Sequence, residues 1–359
     1  MIRIDIRPVW RIRAGAEREF DFQLIAILGE IDASAKLGRG AERAGISYRH
    51  AWNLVRSWEG FFGAPLVVKE QGRGTRLTVL GKRLLWAGRR AQARLAPELD
   101  NLAAEFARTL NDSLSDATPY LVIHASHDFA VAGLREMSHA SGVAIELQYK
   151  GSFDALASLR RGECDVAGFH VPEGPLGALM ARRYAECLPL ADYRLISFVT
   201  RAQGLIVRAG NPKAIGGVAD LCRPDVRMVN RQRGSGTRAL LEFLISSQGL
   251  DRARMTGYDI EESTHGAVAA LVAGNQADAG FGVQAAAAQY RLGFLPVCTE
   301  RYLLACRAPE LDSPAMTDLR ASFRGPSFLD LIASLPGYSA AGSGEVVESF
   351  DSLSALATS

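Results

Sequence analysis

From Tyr120 onward, short apolar runs alternate with stretches of helical periodicity, and this alternation constrains the fold more than any other feature. Residues 120–126 read as a strand, followed by a helix beginning near Asp128. Residues 143–149 form the next strand, Ser152 opens a helix after Gly151, and residues 165–171 form a third strand. A second set starts near Ile196, with strands expected over 205–208, 226–229 and 258–263. Residues 278–282 are expected as a strand returning toward the first set. Strands interleaved with helices mean a largely parallel sheet whose ligands sit at the strand C-termini. Two such sets predict two α/β lobes hinged as a clamp.

The loop over 230–238 lies between an apolar run and the helical run 239–245, in the order strand, loop, helix. Gly234 and Gly236 permit a tight turn and close approach of a ligand. Ser235 and Thr237 add hydroxyls beside the unpaired N–H groups of a starting helix, which carry partial positive charge. Arg231 adds a planar, permanently charged fork suited to an oxyanion. The loop donates hydrogen bonds and holds no negative charge. It lacks the Gly-Lys-Ser/Thr ending of a Walker loop, and an ordinary glycine-containing helix cap would look similar on these residues alone.

Net charge is only +2, so a nucleic-acid surface requires local clustering. That clustering exists between Lys36 and Arg94, where thirteen lysines and arginines stand against three glutamates. Cys164, Cys187, Cys222, Cys298 and Cys306 are odd in number and lack CxxC spacing, which argues against a disulfide framework or a zinc site. The charged N-terminus has no signal-peptide core and no run reaches membrane-spanning length, so a cytoplasmic protein is expected. No nucleophile–base pairing, phosphate-transfer motif or metal cluster is legible, so no enzyme and no cofactor are expected.

Residues 1–13 alternate apolar and charged side chains, which predicts a half-exposed strand. Helices are expected over 20–31, over 37–44 with Gly45 as its C-terminal glycine, and from Ser47 as N-cap to about Phe62. Two helices across a glycine turn have the shape of a helix-turn-helix. The third helix exposes Tyr48, Arg49, His50 and Asn53, types that read base edges and hold phosphates. Residues 65–78 predict a hairpin presenting Arg73 and Arg76 as a wing. A helix then runs from Thr78 to about Leu110 with an apolar stripe, kinked or divided at Pro97.

This segment resembles the winged helix-turn-helix of the molybdate-responsive regulator ModE and, more distantly, the LysR-type regulators. The likeness rests on residues 46–52, 62–67 and 76–81. It implies DNA-binding roles for Ser47, Tyr48, Arg49, His50, Asn53 and Arg56, and a dimerisation role for the long helix. A dimer would place two recognition helices on a pseudo-palindromic double-stranded site.

Residues 120 to about 335 resemble the periplasmic-binding-protein superfamily of type II, in the form of its tungstate- and molybdate-binding members. In those relatives an arginine followed by Ser-Gly-Thr holds the oxyanion, and Arg231 with Ser235-Gly236-Thr237 matches that pattern. Ser126 and Ser152 match first-lobe loops that supply hydroxyls, and Thr264-His265 match a second-lobe loop more loosely. The relatives have acidic residues before Ser-Gly-Thr where this chain has Gln232-Arg233, which leaves open a more highly charged ligand or an organic carboxylate. ModE itself senses molybdate through a β-barrel that this chain replaces with the clamp. A donor-only pocket suits molybdate or tungstate, whereas phosphate retains a proton and wants an acceptor, for which Asp128 is a candidate. His127 and His265 are further pocket candidates.

The expected organisation is an α/β protein with a winged helix-turn-helix over 1–78, a dimerisation helix over 79–118, a two-lobed sensor over 119–338 and a loose tail over 339–359. The expected function is regulation of transcription in response to molybdate or tungstate. The alternative is a LysR-like regulator of a small organic anion.

Overall fold

Apolar spacing dictates the N-terminal third. The computed structural model describes residues 2–70, 74–113, 120–137, 144–189 and 191–347. A hairpin of β1 (Arg11–Ala14) and β2 (Ala16–Glu19) precedes three helices, α1 (Gln23–Ser34), α2 (Leu37–Arg43) and α3 (Tyr48–Phe62). A second hairpin, β3 (Val67–Glu70) and β4 (Gly74–Leu77), leads into α4 (Val79–Asp112). Leu24, Ile27, Leu28 and Ile31 of α1 meet Ala51, Val55 and the fully buried Trp58 of α3. Ser47 caps α3 by accepting from the His50 N–H at 3.2 Å, and Gly45 turns the chain between α2 and α3 at a φ of 67°.

Two N-terminal expectations are corrected. Residues 2–10 form no strand, because no neighbouring strand is there to pair; Asn111 at the end of α4 instead bonds the N–H and C=O of Ile2. Pro97 does not divide α4, which runs through it as one helix. Arg73, the predicted tip of the wing, lies outside the described residues.

The remaining chain builds two lobes on one sheet. The first lobe holds β5 (Tyr120–Ala125), α5 (Phe129–Met137), β6 (Ala144–Tyr149), α6 (Ser152–Arg161), β7 (Val166–Pro172) and α7 (Pro175–Cys187). The long strand β8 (Tyr193–Val207) crosses to the second lobe, with β9 (Met228–Arg231), α8 (Gly236–Ser247), β10 (Glu261–Glu262), α9 (His265–Ala273), β11 (Ala279–Val283) and α10 (Gln284–Gln289). A second long strand, β12 (Gly293–Arg307), returns to α11 (Pro314–Ser322), α12 (Pro326–Ala333), β13 (Tyr338–Ser339) and β14 (Val346–Val347).

The strand order among the described residues is β10-β9-β11-β8-β12-β7-β5-β6. Parallel triplets flank the antiparallel pair β8–β12, which belongs to both lobes: β11 pairs with the C-terminal part of β8 and β7 with the C-terminal part of β12. The expected return at residues 278–282 is therefore corrected. β11 stays inside the second lobe, where Gly280 and Gly282 let Val268 and His265 of α9 pack closely, and β12 makes the return. α4 packs on α1 at one end and on α9 and β6 beyond it.

The expected loose tail is also corrected up to Val347. Both β13 and β14 pair with β8, and the buried Ser343 hydroxyl donates to the Phe198 carbonyl. These bonds satisfy one edge of β8 where it enters the first lobe. Deleting residues 340–359 should destabilise the chain by roughly 1–3 kcal/mol in urea unfolding. An unchanged midpoint would restore the tail to a loose appendage.

Candidate anion-binding cleft

Strand C-termini and helix N-termini from both lobes converge on one cleft of about 580 Å³. All eight predicted ligand residues line it: Ser126, Ser152, Arg231, Ser235, Gly236, Thr237, Thr264 and His265. The strand-to-helix order explains this convergence. Ser126 follows β5, Ser152 begins α6, Ser235 caps α8 by accepting from the Arg238 N–H, and Thr264 caps α9 by accepting from the Ala267 N–H. Three helix N-termini thus direct unpaired N–H groups toward the same space.

The side chains differ in what they leave free. Ser126 Oγ lies 3.2 Å from His170 Nδ1 and 3.0 Å from the Tyr302 hydroxyl, which itself donates to the Ser126 carbonyl at 2.9 Å. Ser152 Oγ lies 3.4 Å from the same histidine nitrogen. Thr237 is buried and accepts from Gln203 Nε2 at 3.0 Å, leaving its own proton to direct. The Thr264 hydroxyl is already committed, donating to the Ala93 carbonyl of α4 at 3.0 Å while capping α9. Gly236 has no Cβ where one would collide with His170 Nε2, so the loop and the first lobe touch there.

Arg231 is the centre of the electrostatics. It is buried, donating to the Gln232 side chain and the Ser263 carbonyl, each at 3.0 Å. Among the described residues no carboxylate lies within ion-pair distance of it. Burial, with Arg201 nearby, pushes its guanidinium down to about 9. A cation so placed gains from any negative charge brought beside it.

Sequence reasoning missed the floor. Arg201 of β8 ion-pairs with Asp128 at 2.5 Å and with Glu300 of β12 at 2.8 Å, all three buried. Burial opposes charge on Arg201, yet Glu300 and Asp128 hold it well above the ordinary value. Asp128 is fully engaged: Oδ1 accepts from the Ala130 N–H, and Oδ2 accepts from Arg201 and from the Tyr338 hydroxyl at 2.6 Å. Its carboxylate is thus committed at the start of α5 and to Arg201, and the expectation of Asp128 as acceptor for a protonated anion is corrected. The available signal was a charged residue inside each apolar run, Arg201 within 195–207 and Glu300 within 297–306. His170, Gln203 and Tyr302 carried no comparable signal.

The structure does bring a serine and a histidine together, which the sequence did not disclose. His170 Nε2 has no hydrogen-bond partner among the described residues, so no carboxylate orients the imidazole as in a hydrolytic triad. The pair fixes hydroxyl direction.

On the N-terminal domain, Tyr48, Arg49, His50, Asn53 and Arg56 are exposed on α3. Ser47 serves as the helix cap. Arg56 and Lys69 both stack on Trp52, at 5.2 and 4.5 Å, tying α3 to the β3–β4 hairpin. Arg76 is exposed and pairs loosely with Glu70 at 3.3 Å. No helix among the described residues is long and apolar enough to cross a membrane.

A family model described as a PBP superfamily domain matches residues 134–323, just over half of the chain. The chain belongs to the PBP superfamily. The uncharacterized protein YvgK of Bacillus subtilis (strain 168) is 38% identical over 155 residues, covering 43% of this chain and 50% of YvgK. This PBP superfamily chain thus spans about half the length of the curated relative it matches. Similar solved structures include the Corynebacterium glutamicum OxyR C206 mutant, at 16% identity, 87% and 94% coverage of this chain and that one, and a TM-score of 0.42. Vibrio fischeri DarR in complex with DNA is 14% identical, with 84% and 98% coverage and a TM-score of 0.44.

Three histidines that line this cleft, with His124 of β5, make a pH prediction. Burial lowers His124, His127 and His170 from 6.5 to about 4, and His265 well below its ordinary value. Between those limits the unfolded chain binds protons that the folded chain refuses, so stability is complete above 6.5 and falls as pH drops toward 4. Urea unfolding at a series of pH values should show that loss. A midpoint flat across this window would mean that the histidines accept protons in place.

Proposed function

We propose that the chain is a DNA-binding regulator that senses a small oxyanion, molybdate or tungstate, in its two-lobed clamp. The observation that carries this reading is Arg231, a buried cation without a carboxylate partner among the described residues, in a cleft it lines together with the starts of three helices and with Ser126, Ser152 and Thr237. Such a site is suited to holding negative charge. Asp128 is engaged within the fold, and the carboxylates that line the cleft are those of Glu98, Glu105 and Asp154; an anion without a proton is favoured by the donors grouped with Arg231. In this reading residues 1–78 are a winged helix-turn-helix, residues 79–118 a dimerisation helix and residues 119–338 the sensor.

Support for the DNA-binding half is the exposed α3 surface beside a basic hairpin, and for a homodimer the outward ridge of Leu102 and Phe106 on α4. Ligand affinity that differs between open and closed clamps would shift the dimer between DNA-binding geometries.

A second reading has its own observation. A groove of about 1220 Å³ shares Ser152 and the 234–236 loop with the cleft, and is lined by Phe153, Leu179 and Met255 with Arg183 and Arg252 at its edge. An organic anion with an apolar body would fit both spaces.

Molybdate at about 100 times its dissociation constant should stabilise the full chain by roughly 2.7 kcal/mol. Arg231→Ala should remove that gain without lowering the melting temperature of the ligand-free protein. A lower ligand-free melting temperature would mark Arg231 as structural, and a response only to aromatic carboxylates would replace the metal oxyanion with the organic one.

Arg49→Ala should weaken binding to a duplex selected from random sequences by roughly 1–3 kcal/mol, with molybdate affinity unchanged. An unaltered gel shift would remove α3 as the recognition helix.

A further inference from the structure

A proline at helix position i removes the N–H that would bond the carbonyl at i−4, and turns that carbonyl outward. In α4 the proline is Pro97 and the carbonyl is that of Ala93. This carbonyl accepts the Thr264 hydroxyl at 3.0 Å, and Thr264 lines the anion cleft. The adjacent Ser263 carbonyl accepts from Arg231 at 3.0 Å. One short path therefore runs from the unpaired cation through residues 263–264 to the helix that leads into the DNA-binding half.

The same face of α4 is tied to both lobes. In the second lobe, Arg90 holds the buried Glu262 at 2.6 Å, and Arg94 reaches its other oxygen at 3.5 Å. In the first lobe, Asn101 accepts from the Tyr149 N–H at 2.6 Å and donates to the Tyr149 carbonyl at 2.9 Å. Between these anchors Arg94, Pro97, Glu98 and Asn101 form a wall of the cleft.

We propose that α4 is a working part of the anion site and that Pro97 is its positioning residue. The carbonyl freed by Pro97 docks the 263–265 loop on the helix, so that an anion drawing on Arg231 changes the hold of Thr264 on α4. Occupancy is then read directly by the helix, as well as by closure of the lobes. This inference rests on the anion reading above.

Pro97→Ala tests it without threatening the fold, since alanine is the better helix former and restores an internal partner to Ala93. The probes are molybdate and tungstate, added to the full chain. Two quantities are followed: affinity by calorimetry, and amide hydrogen exchange across residues 86–105. In the wild type, anion binding should change exchange in that stretch on the order of tenfold, the scale of an ordinary coupling free energy. In Pro97→Ala, compared at anion concentrations that calorimetry shows to be saturating for each protein, the change in exchange should disappear. Thr264→Ser, which keeps the hydroxyl, should behave as the wild type.

An equal exchange response in Pro97→Ala, or none in a wild type that binds the anion, overturns the inference and leaves the oxyanion reading standing. A wild type silent toward both anions removes the oxyanion reading and the inference with it.

Discussion

Arg201 stands where β8 and β12 pass from one lobe to the other, and the clamp is assembled around its two carboxylates. Glu300 is its direct cross-strand partner in the β8–β12 register. Asp128 comes from the start of α5, and Tyr338 brings the C-terminal segment onto the same carboxylate. One guanidinium therefore gathers the hinge strands, a first-lobe helix and the closing strand. Stripping one partner from such a buried set leaves an uncompensated charge, which costs about 3–5 kcal/mol. The cost explains why a cluster this polar specifies one geometry for the crossing instead of loosening it.

Arg231 is the same residue type in the opposite condition. Arg201 is neutralised by the fold, whereas among the described residues the Arg231 guanidinium donates only to a side-chain amide oxygen and a backbone carbonyl. Both are buried, so solvent screens neither. The difference in partners is what the proposed anion site rests on. The neighbouring histidines reinforce it, because burial and the two arginines keep His265 neutral and so add no competing positive charge.

The α/β alternation, the N-cap at Ser47 and the Arg231 loop were legible because each depends on residues close in sequence. Ser47 announces a helix start by its own hydroxyl, and helix starts that follow strands must share one end of the sheet. The crossing was not legible in the same way. Arg201, Glu300 and Asp128 meet across 73 and 99 residues of sequence separation, and no local period encodes such a meeting. The C-terminal segment was misread for a related reason. Serine, alanine and glycine look like a tail until β8 offers them an edge, where Ser343 and the two short strands find partners.

The docking of α4 follows from the sheet's order. β6 is the last strand of the first lobe, so its outer backbone groups face no further strand among those described. Asn101 supplies both a donor and an acceptor to Tyr149 of that strand, replacing part of a missing neighbour. Ala103 and Ala107 are buried on α4, while the larger Leu102 and Phe106 remain more than half exposed. The helix is therefore joined to the clamp by polar bonds to the loop at 264, to Glu262 and to an edge strand, and by the apolar packing of Trp86 against Tyr290 of the second lobe. The apolar contact holds the helix on the second lobe, and the polar bonds fix which of its residues meet the cleft.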